Sequence, residues 1–405
     1  MKKIFTVIFL LSVTLAQAQV KILFDASKAE SSGNGDWVID ADLHNLGFSN
    51  GPAVAGQGTE SNPQRYPTPA QSGVTSSTPE TFWTGSLSSW GIDMVKKGYT
   101  VETLPYNGSI TYGSTSNQQD LSHYKVYVVD EPNILFTSAE KTAILQFVQN
   151  GGGLFMISDH DVSDRNNDGW DSPHIWNDLM TTNSVIANPF GISFDLDNFS
   201  GTYFNIAPLS TDSILHGPMG NVTEVDWSNG TSMTLSPTAN STVKGLVYKS
   251  GTSGNTNVLC ARARYGNGKV FAMSDSSPAD DSTGDPNDQL YDGWITDANG
   301  NHEKLIVNAT IWLASGGTPL SVNTPKDEEN IIIYPNPVSE ILNIKLQDVN
   351  TKTICNLFSI EGQLLRSFDV QQENTTISVS NLSKGIYFVK LINNDHSEVI
   401  RFIKE

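Results

Sequence analysis

Cysteine is almost absent from this sequence: Cys260 and Cys355 are the two in 405 residues. That excludes a disulfide-stapled scaffold, and because the two fall in stretches of different texture they read as buried free thiols. Basic charge is also scarce. Lys and Arg total 24 against 43 Asp and Glu, a formal net charge of −19, so there is no basic footprint for nucleic acid. Past the N-terminus no apolar run is long enough to cross a bilayer, and no transmembrane segment is expected. Residues 1–19 carry Lys2 and Lys3, an apolar stretch from Ile4 to Leu15 and the small-residue site Ala16-Gln17-Ala18. This is the layout of a secretory signal peptide, too short to span a membrane.

Aspartate is what the sequence has in abundance, and it is concentrated where strands end. Residues 151–178 read GGGLFMISDHDVSDRNNDGWDSPHIWND. The apolar run Leu154 to Ile157 has the texture of a strand buried on both faces, and the loop after it is crowded with ligand-type side chains. Val20 to Phe24 runs into Asp25, Tyr124 to Val129 into Asp130, and Val270 to Met273 into an acidic loop at Asp275. If the sheet is parallel, the tips at 25, 130, 159 and 275 share one edge, where open α/β sheets bind ligands.

The spacing predicts a helix over Trp90 to Lys97 and a strand over Tyr99 to Leu104. A βαβ unit over 124–157 has Thr137 or Ser138 as helix cap, with Ile144, Leu145 and Val148 as its apolar stripe. Residues 185–260 read as a β-rich insertion, and Glu303 to Leu313 as a closing helix. The expected fold is α/β over residues 20–315, a parallel flavodoxin-like sheet with helices on both faces. A polar linker at 316–329 leads to a small C-terminal β-sandwich at 330–405.

That last segment resembles the type A C-terminal sorting domain of the type IX secretion system of Bacteroidetes, through YPNPV at 334–338, SIEGQLL at 359–365 and LSKGIYFVKL at 382–391. The resemblance implies the type IX machinery as partner and delivery to the medium or the outer-membrane surface. The larger segment resembles the class I glutamine amidotransferase-like superfold, near its ThuA-like members and a branch of uncharacterised secreted hydrolase-like proteins. The carriers are LSHYKVYVVDEPNILFTSAEKTAILQFVQNGGGLFMISDH and YGNGKVFAMSDSSPADD. Where that superfold places a cysteine nucleophile this chain has Ser158 or Asp159, which excludes a glutaminase.

Three chemistries fit these residues. Asp164, Asn166 and Asp168 followed by Gly169 put oxygen ligands at alternate positions, as a hard cation such as Ca2+ requires, with Asp161 and Asp171 beside them. The bland alternative is an Asx-rich turn without metal. Asp25, Asp159, His160 and Asp275 form a candidate catalytic group around a divalent ion such as Zn2+, Mn2+ or Mg2+, with a spare carboxylate or His44 as base. Ser158 is a candidate nucleophile, with His160, His174 or His302 as base. Trp37, Trp83, Trp90, Trp170, Trp176, Trp227 and Trp294 fall mostly in polar loops, where indoles stack on sugars or fill small cores. The expected function is a secreted, metal-assisted hydrolase of extracellular carbohydrate or carbohydrate ester. The alternative is a calcium-stabilised, non-catalytic glycan-binding or adhesive surface protein.

Overall fold

A computed structural model describes residues 20–32, 35–40, 71–284, 291–297, 299–316, 331–346, 353–359, 363–370, 372, 374–393 and 396–405. The signal segment 1–19, His44 and the linker from 317 to 329 lie outside the described residues. The chain divides into two compact units, with the division between Leu320 and Ser321. No helix among the described residues is long and apolar enough to cross a membrane.

The first unit is built on one mixed ten-stranded sheet. Its strands are β1 (Lys21–Asp25), β2 (Thr100–Leu104), β3 (Val126–Asp130), β4 (Gly153–Ile157), β5 (Ile192–Phe194), β6 (Met233–Leu235), β7 (Lys244–Tyr248), β8 (Val258–Tyr265) and β9 (Gly268–Met273), with Asn205–Ile206 added beside β7. They lie in the order β2-β1-β3-β4-β9-β8-β6-β5, with β7 also paired to β8. The five strands from β2 to β9 are mutually parallel.

An all-parallel sheet was the expectation, and the other half departs from it. β8 pairs antiparallel with β9, and β5, β6 and β7 continue antiparallel. The cause is local: only Gly266 and Asn267 separate β8 from β9, and a two-residue connection returns the chain beside itself. Gly266 takes φ +58°, a value that favours glycine. Within the β-rich portion 185–260, the strands at 192–194, 205–206, 233–235 and 244–248 widen the same sheet, while 199–203 with 225–230 and 216–217 with 220–221 form two small sheets of their own.

Helices cover both faces. α1 (Ser88–Lys96) and α4 (Asn301–Ala314) pack Trp90, Met94, Leu305, Ile306 and Leu313 onto Ile22, Phe24, Val128, Phe155 and Phe271. α2 (Ser138–Gln149) and α3 (Ser172–Thr182) pack Ile144, Leu145, Val148, Trp176 and Leu179 onto Leu23, Tyr127, Leu154, Met156 and Val270. Burial on both sides explains why the parallel strands read as unbroken apolar runs. α2 starts on a full capping box, Thr137 with Glu140, which satisfies two otherwise orphaned amides. At the start of β4, a Cβ at Gly152 would meet the Phe147 ring at 2.3 Å and one at Gly153 would meet Leu313 at 2.7 Å.

The second unit is all-β. β10 (Ile331–Tyr334), β11 (Ile341–Leu346) and β14 (Asn374–Ser378) form one antiparallel sheet; β12 (Thr353–Ser359), β13 (Leu364–Val370), β15 (Gly385–Asn393) and β16 (His396–Lys404) form another. Leu342, Ile344 and Ile377 of the first share a core with Cys355, Leu357, Val389, Leu391 and Phe402 of the second.

Candidate functional site

The carboxyl ends of β3, β4 and β9 bring the acids together, and the pleat decides which ones. Residues two apart along a strand share a face. Ile157 pairs with Asp130 on one side and Met273 on the other, so carrying the register two residues on sets Asp159 beside Asp275. Asp25 instead follows Leu23 onto the face of Tyr127 and Val129. Its neighbours are Glu30, Ser27 and Lys28. Three of the four strand-tip aspartates gather, and Asp25 turns the other way.

The centre of the gathered group is Glu131, which the sequence reading passed over. It is fully buried, at φ +46°, an uncommon backbone state for a non-glycine residue. Its Oε2 accepts from Trp37 Nε1 at 2.8 Å and Ser276 Oγ at 2.9 Å, and its Oε1 from Arg165 Nε at 2.8 Å. The Arg165 Nη2 donates to Asp159 Oδ2 at 2.7 Å, and His160 Nε2 lies 3.6 Å from the same oxygen. The backbone N–H of Arg165 donates to Asn133 Oδ1 at 3.0 Å, and Asn166 donates to the Asn133 carbonyl at 2.6 Å. The acidic loop is thereby docked onto the loop that follows β3.

Burial dominates the electrostatics. It pushes Asp159 well up, with Glu131 and Asp275 adding to the rise and Arg165 opposing it. Asp130 is driven well up by burial and by Glu131, Asp275 and Asp280, and neither of its oxygens has a hydrogen-bond partner among the described residues. Asp275 is pushed up to about 7 by burial, although the amides of Ser277 and Ser228 bind its carboxylate. Asp280 also reaches about 7, through burial. Such carboxyls exchange protons near neutral pH.

Ser158 is fully buried, with Ser172 Oγ at 3.2 Å, and its hydroxyl donates to the Asp159 carbonyl at 3.3 Å. No histidine among the described residues partners it. His302 is fixed elsewhere: its Nε2 accepts the Asp226 amide at 2.8 Å, which leaves Nδ1–H facing the Gly293 carbonyl at 2.7 Å, and burial lowers its pKa.

In the DxNxDG loop, Asp164 accepts from the amides of Asp168 and Gly169, Asn166 from Asp168, and Asp168 from Trp170. The loop closes on itself in the manner of Asx turns. Among the described residues, the group whose ligand atoms lie within 4.8 Å of one another is Asp161, Asp171 and His174. Asp25, Asp159 and Asp275 do not form such a group. Six of the seven tryptophans singled out, all but Trp170, are core residues; Trp170 is 38% exposed.

Residues 332–405 match the secretion system C-terminal sorting domain. The C-terminal unit is a type IX sorting tail. It directs the chain through the type IX machinery to the cell surface or the extracellular space. No curated protein matches the chain. Among solved structures, the mmIFT52 N-terminal domain is similar at 12% identity and a TM-score of 0.40, over 73% of this chain and 98% of that one. A β-galactosidase from Rahnella sp. R3 is similar at 13% identity and 0.32, over 72% and 37%. PorZ, a surface component of the type IX system of Porphyromonas gingivalis, is similar at 18% identity and 0.17, over 21% and 12%. At these scores the likenesses carry neither fold nor activity over to this chain.

Proposed function

We propose that the first unit is a secreted hydrolase of extracellular carbohydrate or carbohydrate ester, on a flavodoxin-like, amidotransferase-related sheet. The order β2-β1-β3-β4-β9 of its parallel half supports the fold reading, since it runs 2-1-3-4-5 in those strands. The chemistry rests on Asp159, held by Arg165 at 2.7 Å and facing His160 at the carboxyl end of a parallel strand. Kept basic by burial, its carboxylate takes a proton from water. Asp275, titrating at about 7, returns one to the leaving group. Arg165 is the cation available to a developing oxyanion. In the metal-assisted form of this reading, Asp161, Asp171 and His174 supply the mixed nitrogen and oxygen donors that suit Zn2+ or Mn2+.

The test is Asp159→Asn assayed on a panel of glycosides, carbohydrate esters and phosphoesters. A loss of about 10²-fold or more in kcat/KM, with the circular dichroism unchanged, is expected for a group that moves a proton in the transition state. A second reading, a calcium-stabilised glycan-binding surface protein, is favoured by exposed Trp170 on the self-bonded 164–169 loop. A wild-type chain that turns over nothing in the panel yet binds glycan selects it.

A further inference from the structure

On the opposite face of the sheet from Asp130 lies a second group of buried oxygens. Asp25 is 2% exposed, and Glu30 and Tyr127 are 0% exposed. Each acid has one oxygen fixed by backbone: Asp25 Oδ1 accepts the Ser27 amide at 2.9 Å, and Glu30 Oε2 accepts the Lys28 amide at 2.9 Å. The other oxygens are left over. Asp25 Oδ2, Glu30 Oε1, Ser27 Oγ and Tyr127 Oη are all buried, and none has a hydrogen-bond partner among the described residues. The two carboxyls lie against each other with the Tyr127 phenol beside them, and that closeness raises Glu30 and Tyr127 further than burial alone does.

Charge does not close the group either. Lys28 is the cation at hand, and its ammonium is already bonded to Glu140 at 2.7 Å. Asp25 and Glu30 have no further cation beside them among the described residues, and burial raises both acids, Glu30 well above the usual range; leaving such a pair uncompensated is costly. Tight Asx-type fixing of one oxygen with the other turned inward is how short loops present ligands to a hard ion.

We propose that Asp25, Glu30, Ser27 and Tyr127 hold a hard, oxygen-seeking cation of the calcium class, independently of the chemistry assigned to Asp159. The donors are all oxygen, which suits a hard ion such as Ca2+ better than a transition metal.

The test uses the full chain, with Asp164→Asn and Asp168→Asn introduced to silence the neighbouring loop. After passage over chelating resin, elemental analysis is expected to find one retained calcium per chain. Adding Glu30→Gln should raise the calcium dissociation constant at least tenfold and abolish the calcium-dependent rise in Tm. If no divalent ion is retained and neither calcium nor magnesium moves the Tm, the proposal is overturned. In that case a higher Tm in Glu30→Gln identifies a proton shared between the two carboxyls. Unchanged calcium affinity in Glu30→Gln also overturns it. Should that variant not fold, Tyr127→Phe is read in its place: weaker calcium retention is expected, and unchanged retention refutes the site.

Discussion

Arg165 donates its Nε–H to Glu131 at 2.8 Å, although Glu131 is fully buried and Arg165 keeps about a quarter of its side chain in solvent. The same guanidinium reaches Asp159. Arg165→Met therefore strands two buried carboxylates at once. Removing one partner of a buried ion pair costs about 3 kcal/mol or more, and urea unfolding should show a loss of that order in the first unit. A midpoint equal to the wild type's would mean that the ionic centre contributes nothing.

The raised acids set a pH dependence whose sign is fixed. Asp275 and Asp280 move from 3.8 to about 7, and Asp281 to about 6, burial being the main cause in each. Between the unfolded and folded values the native state holds more protons than the unfolded chain, so these groups make stability fall as pH rises from about 4 to about 7. The urea midpoint should be lower at pH 8 than at pH 5. Asp275→Asn should flatten that slope, and a midpoint that climbs over the interval contradicts the assignment.

Ser158, the expected nucleophile, sits against Ser172 and has no histidine partner among the described residues. Ser158→Ala should leave turnover at the wild-type level under the proposed function. Loss of a burst phase or of a trappable acyl-enzyme in this variant would restore the nucleophile reading.

Gly153 has Leu313 of α4 where its Cβ would go. Gly153→Ala wedges helix from sheet and should cost about 1–3 kcal/mol, as overpacking does. Equal thermal midpoints for variant and wild type would show that α4 yields freely.

Thr137→Ala removes the hydroxyl that accepts the Glu140 amide. The expected cost is about 1 kcal/mol, visible as faster amide exchange in the first turn of α2.

The parallel half of the sheet was legible because local signals agreed there: apolar runs, a capping box at Thr137 and glycines at 151–153 all pointed to one βαβ unit. Asp159 and Asp275 were legible for the same reason, each following an apolar strand. The face on which Asp25 falls was not read, since that needs the strand register and the period-2 pleat worked through residue by residue. Glu131 was hidden behind Asp130, the more obvious strand-tip acid. Arg165 left a usable trace, being the one arginine in the acidic stretch 151–178. A lone cation among so many carboxylates marks where the charge must be balanced. For the tryptophans, composition left stacking on sugars and filling cores both open, and burial decides for the core at all but Trp170: Trp90 and Trp176 lie on α1 and α3 and pack into the two cores of the sheet.

Glu131 ties together Trp37, Arg165 and Ser276, which lie 94, 34 and 145 residues away along the chain. Three segments distant in sequence are thus fastened at one buried carboxyl. A substitution at Glu131 would take the same acceptor from the Trp37 indole, the Arg165 guanidinium and the Ser276 hydroxyl together, so one side chain answers for the anchoring of three distant stretches.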